Sequence, residues 1–297
     1  MNFKTFTEAV SQHRQQRSRK IDIDQAKSLI KQNASQITDY YKGHPNERIY
    51  RGYSASDTAS YLIEPTKFIR QSRNTSNYYT LLIDTILNSW TNYPKRSQSI
   101  ICTTEYSMAQ AFGYPFVVFP YNNAKIAICK TADFWQGFEY LKTEIDISGM
   151  DSFNQFIIEP IMRIFPGQLF TYAFNSASRL MDEDPEWLRA LIGGLDWGTT
   201  QYSPYEVAKK SRLMHKFNNL IEWMLYNKQT DFIKAFDILL NPEKNKFKLQ
   251  QLPKINLSAN SEVGIYSNEV WTDANSILVP VYEATNIIFG RSYYKKS

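Results

Sequence analysis

The stretch Ser99-Ile100-Ile101-Cys102-Thr103-Thr104 decides the fold class, because an apolar run ends there in a pair of hydroxyl residues. It follows Pro94-Lys95-Arg96, a break in regular structure, so the pattern predicts a strand over residues 97–103. Beyond it, Ser107 is placed to cap a short helix that Gly113 would end. This order of elements indicates a domain that mixes strands and helices.

Strands are predicted early and late in the chain, with helices between them. The residues around Tyr121-Asn122-Asn123-Ala124 are expected to join two strands as a hairpin. A chain with this order is expected to close one mixed sheet from both ends. The strand-like patterns occupy residues 47–53, 97–103, 116–119, 125–129, 263–266, 269–272 and 276–282.

The remaining patterns are helical. Asp24 can cap an N-terminal helix that Gly43 ends. The long middle part contains apolar residues at helical spacing over 134–141, 153–165, 187–192, 205–225 and 231–240. We therefore expect a single α+β domain over residues 1–297, composed of an N-terminal helical region, a sheet core and a mainly helical insertion. These parts cover residues 1–46, 47–131 with 255–290, and 132–254, respectively.

Composition limits the class of protein. The 297 residues are apolar enough to bury a core and carry a net charge of +5, which suits an anionic ligand or a nucleic acid. Residues 1–20 lack the apolar segment of a secretory signal, and no run is long enough to span a bilayer. Cys102 and Cys129 lie in apolar surroundings, so buried free thiols and a reducing cytoplasm are expected.

Two further short motifs stand beside predicted strands. Tyr50-Arg51-Gly52 ends the first of these strands with a cation and a glycine. Glu269-Val270-Trp271 starts a late strand, and the turn Asp273-Ala274-Asn275 and another strand follow it. Glu262 is a competing position, but no such turn and strand follow it directly. Arginine can hold a pyrophosphate, and a carboxylate can stabilise a developing positive charge.

In the order Arg51, Thr103-Thr104, Glu269, these motifs resemble the Arg–Ser/Thr–Glu signature of ADP-ribosyltransferases. The resemblance implies a split, mixed or antiparallel β-sheet core and NAD as the donor of ADP-ribose, with no metal. It implies that Glu269 is the catalytic carboxylate and that Arg51, with Gly52, holds the NAD phosphates or ribose. Thr103 and Thr104 would support the NAD site.

The chain departs from the family pattern at two positions. Cys102 stands where the family has the first Ser of its second motif, and Ser267 stands where arginine-modifying members have Glu or Gln. The second departure argues against arginine as the acceptor. Together with the basic charge, it favours a nucleic-acid acceptor such as RNA over a protein.

A polar and aromatic segment, residues 70–79, is expected to form part of the NAD or acceptor pocket. Arg73 and Asn77 could contact phosphate or sugar, and Tyr78 could stack on an aromatic ring. The alternative is a set of surface polar residues with core tyrosines. None of the three histidines precedes a Gly at a strand end, which argues against the related class that uses His in place of Arg. A Gly-rich phosphate loop and a metal-ligand cluster are also absent from the sequence.

Residues 70–104 also resemble uncharacterised proteins of large tailed phages. That resemblance implies a phage–host conflict, with a phage effector or a bacterial defence toxin, and the superfamily includes toxins of toxin–antitoxin systems that modify RNA. An antitoxin partner is an expectation of the same kind, whereas a membrane partner is not expected. The alternatives are a non-catalytic nucleic-acid-binding or interaction protein, a degenerate transferase fold, and a transferase with a protein acceptor.

Overall fold

The structure, a computed structural model, describes residues 18–53, 59–68, 80, 82–147, 214–230, 232–260 and 267–290. The chain divides into two compact units. Described residues of the first lie within 18–68, 93–132 and 248–290, and those of the second within 80–92, 133–147 and 214–247. The predicted strand 263–266 and the predicted helices 153–165 and 187–192 lie outside the described residues.

The first unit is built on one antiparallel sheet, so the protein is a mixed α+β protein. Its strands run in the order β1-β3-β9-β5-β2-β4-β8-β6-β7, and every recorded pairing is antiparallel. Strands from both ends of the chain meet in this sheet, as the sequence predicted. The strands are β1 Ser18–Ile21, β2 Tyr50–Tyr53, β3 Ser60–Ile63, β4 Ile100–Thr103, β5 Tyr114–Pro120, β6 Lys125–Ile128, β7 Lys248–Gln251, β8 Glu269–Thr272 and β9 Ser276–Pro280.

Four helices accompany the sheet in the described part of the first unit, and three lie in that of the second. The N-terminal helix starts earlier than predicted, because the side chain of Asp22, and not Asp24, accepts a hydrogen bond from the Gln25 N–H. The helices are α1 Ile23–Asn33, α2 Ser35–Gly43, α3 Tyr106–Ala111, α4 Glu139–Ile145, α5 Met214–Tyr226, α6 Phe232–Leu239 and α7 Val281–Phe289. None of the helices in the described ranges combines the length and apolar character that crossing a membrane requires.

Several of the predicted assignments are wrong. The strands β5 and β6 do not form a hairpin, because β5 pairs with β2 and β9 while β6 pairs with β7 and β8. Residues 1–46 were predicted to be helical, yet β1 lies there and pairs with β3. Likewise β7 lies inside the segment predicted to be mainly helical. These two strands are short and polar and lie at the two edges of the sheet, where apolar alternation is not required. The buried strand β3 was not predicted either.

The core of the first unit packs against both faces of the sheet. Tyr41 of α2 is fully buried, and its hydroxyl donates to the Val118 carbonyl at 2.7 Å and accepts from the Ile49 N–H at 3.3 Å. These bonds tie the helix to β5 and to the residue before β2. Cys102 and Cys129 are buried free thiols, as the sequence predicted.

The described core of the second unit is aromatic. Trp90 is 4 % exposed, and its indole N–H donates to the Leu240 carbonyl at 2.9 Å. The Trp90 ring lies with its centroid 5.6 Å from that of Phe134 and 5.2 Å from that of Phe247. These contacts join the chain before residue 92 to the helical part that follows residue 133.

Candidate functional site

Three neighbouring strands carry the residues that the sequence singled out. In the sheet order, β2 lies beside β4, and β4 lies beside β8. The register places Tyr50 opposite Thr103, and Thr103 opposite Glu269. Residues directly opposite each other in an antiparallel pair project from the same face of the sheet. Tyr50, Thr103 and Glu269 therefore form a row across one face.

Arg51 lies one residue beyond this row. Because side chains alternate along a strand, Arg51 leaves β2 on the face opposite to Tyr50. Its Nη1 donates to the Ile101 carbonyl of β4, and its Nε is buried with no hydrogen-bond partner among the described residues. Only one pair of residues, Tyr50 and Thr103, is in register between β2 and β4. If the pairing of β2 with β4 continued, a backbone N–H of β2 would donate to the Ile101 carbonyl. The Arg51 guanidinium takes the place of that donor.

Gly52 explains why a glycine follows the arginine. A Cβ atom at this position would lie 2.0 Å from the Ala109 carbonyl oxygen and 2.9 Å from the Phe112 carbonyl carbon. Both atoms belong to the backbone of α3 and its C-terminal end, so they cannot move away independently. The absence of a side chain lets α3 pack directly on β2. In the structure Gly52 is therefore a packing residue beside the site.

The two threonines contact the backbone around Glu269. Thr104 donates its N–H to the Asn268 carbonyl at 3.0 Å, and its Oγ1 accepts from the Asn268 N–H at 3.0 Å. Thr103 Oγ1 accepts from the Glu105 N–H at 3.1 Å, which turns the chain toward α3. Thr104 therefore fixes the residue that precedes Glu269, and Thr103 lies directly across the strand pair from it.

Glu269 forms an ion pair with an arginine outside the three predicted motifs. Arg96 Nη1 lies 2.5 Å from Glu269 Oε1, with the two side chains 5 % and 12 % exposed. The Arg96 guanidinium also lies over the Trp271 ring, 5.1 Å from its centroid. Trp271 is two residues after Glu269 on β8, so both project from the same face. A cation–π contact and a charge-assisted hydrogen bond together hold the guanidinium.

The backbone around Arg96 is fixed as well. The Trp271 indole N–H donates to the Pro94 carbonyl at 2.9 Å. A 3₁₀ turn, Arg96–Gln98, follows, and Ser99 Oγ donates to the Lys95 carbonyl at 2.6 Å. The Pro94-Lys95-Arg96 sequence marked a break before β4, but no spacing in the sequence connects it to a glutamate 173 residues away.

Cys102 lies on the opposite face of β4 from Thr103, across from Val270. Burial raises the pKa of its thiol from 9.0 to about 12; the Arg51 guanidinium opposes this shift and the Glu269 carboxylate adds to it. The thiol is therefore protonated at neutral pH and unsuited to nucleophilic attack. Its pKa responds to both Arg51 and Glu269, so it lies within electrostatic reach of each.

Other predicted site residues fall elsewhere. Arg73, Asn77 and Tyr78 lie outside the described residues. Ser267 Oγ, two residues before Glu269, is buried and has no hydrogen-bond partner among the described residues. In the described ranges, no group of three or more His, Cys, Asp or Glu side chains could hold a metal ion.

Thr103 and Glu269 are thus brought together on one face, and Arg51 reaches β4 from the other. Comparison with known proteins adds no relative: no family model, no curated protein and no solved structure matches the chain.

Proposed function

We propose that this protein is a mono-ADP-ribosyltransferase that transfers ADP-ribose from NAD to a macromolecular acceptor. The observation that carries the proposal is the adjacency of β2, β4 and β8, with Thr103 opposite Glu269. Strands that are up to 218 residues apart in the chain, counted from Arg51 to Glu269, thereby become neighbours in the order of the resemblance, with Thr103 and Glu269 on one face and Arg51 on the other. The antiparallel sheet supports an ADP-ribosyltransferase-like core within the first unit.

The chemistry is a substitution at the anomeric carbon of the nicotinamide ribose. The bond from C1′ to the nicotinamide nitrogen breaks, and its electron pair neutralises the pyridinium charge, so nicotinamide leaves as a neutral molecule. A nucleophilic atom of the acceptor forms the new bond to C1′, and its proton passes to solvent or to a base. Positive charge develops on the ribose in between, and the Glu269 carboxylate would stabilise it or orient a ribose hydroxyl.

The donor atoms of Arg51 fit an anionic group. One guanidinium nitrogen bonds to the Ile101 carbonyl, and the buried Nε has no partner among the described residues, so the group has capacity for a phosphate oxygen. Arg51 and Glu269 leave their strands on opposite faces of the sheet. To contact both residues, NAD would have to pass between β2 and β4, where their pairing ends after Tyr50–Thr103. Substitution of Arg51 is therefore a direct test of the proposed NAD site.

The proposed acceptor class rests on the residue two positions before Glu269 and on the net charge. Ser267 provides no carboxylate or amide to recognise a guanidinium acceptor, and the net charge of +5 favours a polyanion. We infer an RNA acceptor in a phage–host conflict, in the cytoplasm, with an antitoxin as a partner of the toxin. A protein acceptor and non-catalytic nucleic-acid binding are the competing outcomes of the experiments.

NAD binding is the first test. NAD at about 100 times its dissociation constant should stabilise the protein by about 2.7 kcal/mol, seen as a rise in melting temperature. The Arg51→Met variant should lose most of this rise, whereas Arg19→Met, which removes an exposed arginine on β1, should keep it. An undiminished rise in Arg51→Met would remove Arg51 from the NAD site.

The acceptor is identified with NAD labelled in its adenylate part and a whole-cell lysate. Protein, RNA and DNA are separated after incubation, and the labelled fraction gives the acceptor class. We expect the label in RNA. Steeply salt-dependent RNA binding without any effect of NAD would instead support the non-catalytic binder.

A further inference from the structure

Burial of the ion pair between Arg96 and Glu269 carries a desolvation cost in folding free energy. Removing two charges from water costs several kcal/mol per ion, and buried ion pairs can often be replaced by apolar residues without loss of stability. Here the two side chains are 5 % and 12 % exposed, and the arginine is packed on Trp271. Stability alone gives little reason for a charged pair at this position of the sheet.

The recorded hydrogen bonds of the two threonine hydroxyls are to backbone N–H groups. Thr103 Oγ1 accepts from the Glu105 N–H, and Thr104 Oγ1 accepts from the Asn268 N–H. Cys102, which stands at the first position of the hydroxyl motif, projects from the other face of the sheet. The recorded ion pair of the Glu269 carboxylate is with Arg96, through Oε1.

We propose that Arg96 is a positioning residue, which holds the Glu269 carboxylate through Oε1 in the orientation needed to act on the ribose of NAD. This inference rests on the proposed transferase activity and deepens it. A carboxylate has about four lone-pair sites on two oxygens, so a bond from Arg96 is compatible with a further bond from a ribose hydroxyl.

The support behind Arg96 suits this role. Its guanidinium lies on the ring of Trp271, and the Trp271 indole is bonded to the Pro94 carbonyl, two residues before Arg96. The side chain that holds the carboxylate is thus braced by the same strand, β8, that carries Glu269. A closed set of contacts of this kind keeps a catalytic group within a narrow range of orientations, which matters because misplacement by about 1 Å can cost about 100-fold in rate.

The role predicts a specific kinetic signature. Arg96→Met removes the charge and keeps much of the volume, and kcat for release of nicotinamide from NAD should fall by about 10- to 100-fold. The KM for NAD should stay within about threefold, because the phosphates and adenine do not depend on this pair. Arg96→Lys should recover part of the lost kcat, since an ammonium retains the charge but lacks the planar fork. Lys95→Met, which removes a neighbouring exposed charge, should leave both constants unchanged.

Rates are expressed per folded molecule, with the folded fraction taken from circular dichroism, so that lost stability is separated from lost positioning. A kcat equal to that of the wild type in folded Arg96→Met would overturn the inference and leave the transferase activity standing. If Arg96→Met does not fold, an Arg96→Lys variant with wild-type kcat would overturn it equally. Absence of nicotinamide release by the wild-type protein would overturn the proposed function and the inference together.

Discussion

Thr103 and Glu269 are cross-strand neighbours in β4 and β8, although 166 positions separate them in the sequence. Their Cβ atoms therefore project from one face, and Tyr50 of β2 completes the row. This relationship connects a motif from the first half of the chain with one near its end. It depends on the register of β4 against β8, which the Thr104–Asn268 bonds extend by one residue.

The close contact of α3 with β2 makes Gly52 sensitive to substitution. In Gly52→Ala the new methyl group would lie 2.0 Å from the Ala109 carbonyl oxygen, so α3 has to shift. We expect a loss of about 1–3 kcal/mol in the free energy of unfolding, measured by urea denaturation. Gly43→Ala is the matched control, because no atom lies within 4 Å of its Cβ position, and it should change stability by less than about 0.5 kcal/mol.

The buried Tyr41 hydroxyl stabilises the first unit through two hydrogen bonds. Tyr41→Phe removes the donor to the Val118 carbonyl and the acceptor for the Ile49 N–H, both of which are buried. The free energy of unfolding should fall by about 1–3 kcal/mol, because buried polar groups lose their partners. Tyr226→Phe, at an 87 % exposed position, should have no measurable effect, and equal stability of the two variants would contradict this account.

The raised pKa of Cys102 predicts a loss of stability in alkaline solution. Burial raises this pKa from 9.0 to about 12, so above pH 9 the unfolded thiol loses its proton while the folded thiol keeps it. The unfolded state then binds fewer protons, and unfolding becomes more favourable as pH rises from 9 toward 12. The contribution reaches at most about 1.4 kcal/mol per pH unit.

Urea unfolding of wild type and Cys102→Ala at pH 7.5, 9 and 10 measures this contribution. The variant should be less stable at pH 7.5 because of its cavity, and the difference should shrink as pH rises. A difference that stays constant across the three pH values would show that the thiol does not titrate in this way.

In the second unit, Trp90 is expected to be the residue on which the aromatic core depends. Trp90→Ala should lower the free energy of unfolding by about 3–5 kcal/mol, since it empties a site surrounded by Phe134, Phe138 and Phe247. Trp90→Phe keeps an aromatic ring but loses the bond to the Leu240 carbonyl, and should cost about 1–3 kcal/mol. Circular dichroism is the suitable probe, because the variants change the tryptophan fluorescence. Equal losses in the two variants would argue against a packing role.

The central strands could be predicted from the sequence because they are buried or flanked by turn residues. β4, β5 and β8 carry apolar runs; the bounds of β8 match the predicted ones, and those of β4 and β5 differ from them by a few residues. The edge strands β1 and β7 could not, since SRKI and KLQQ each contain one large apolar residue. The four-residue strand β3 was also missed, although it is buried. α7 was mistaken for the end of a strand because Val281 and Tyr282 favour strands, although Pro280 precedes the first helical turn.

The candidate site was predictable in part for a related reason. Arg51, Thr103 and Glu269 each stand beside a predicted strand, and pattern alone places them near a sheet edge or strand end. The face from which each side chain projects depends on strand register, which a sequence without its pairing partners does not contain. Arg96 depends on a contact between distant segments, so only the structure connects it with Glu269.

Transfer of label from NAD by the wild-type protein and by Glu269→Gln tests the central claim most directly. Glutamine keeps the shape of the side chain and can still accept a bond from Arg96, so the fold should survive, as a melting curve would show. Glu243→Gln, at an exposed position, is the control. We predict wild-type transfer by the control and a fall of at least about 100-fold for Glu269→Gln. Transfer by folded Glu269→Gln at the wild-type rate would contradict the assignment of Glu269 as the catalytic carboxylate.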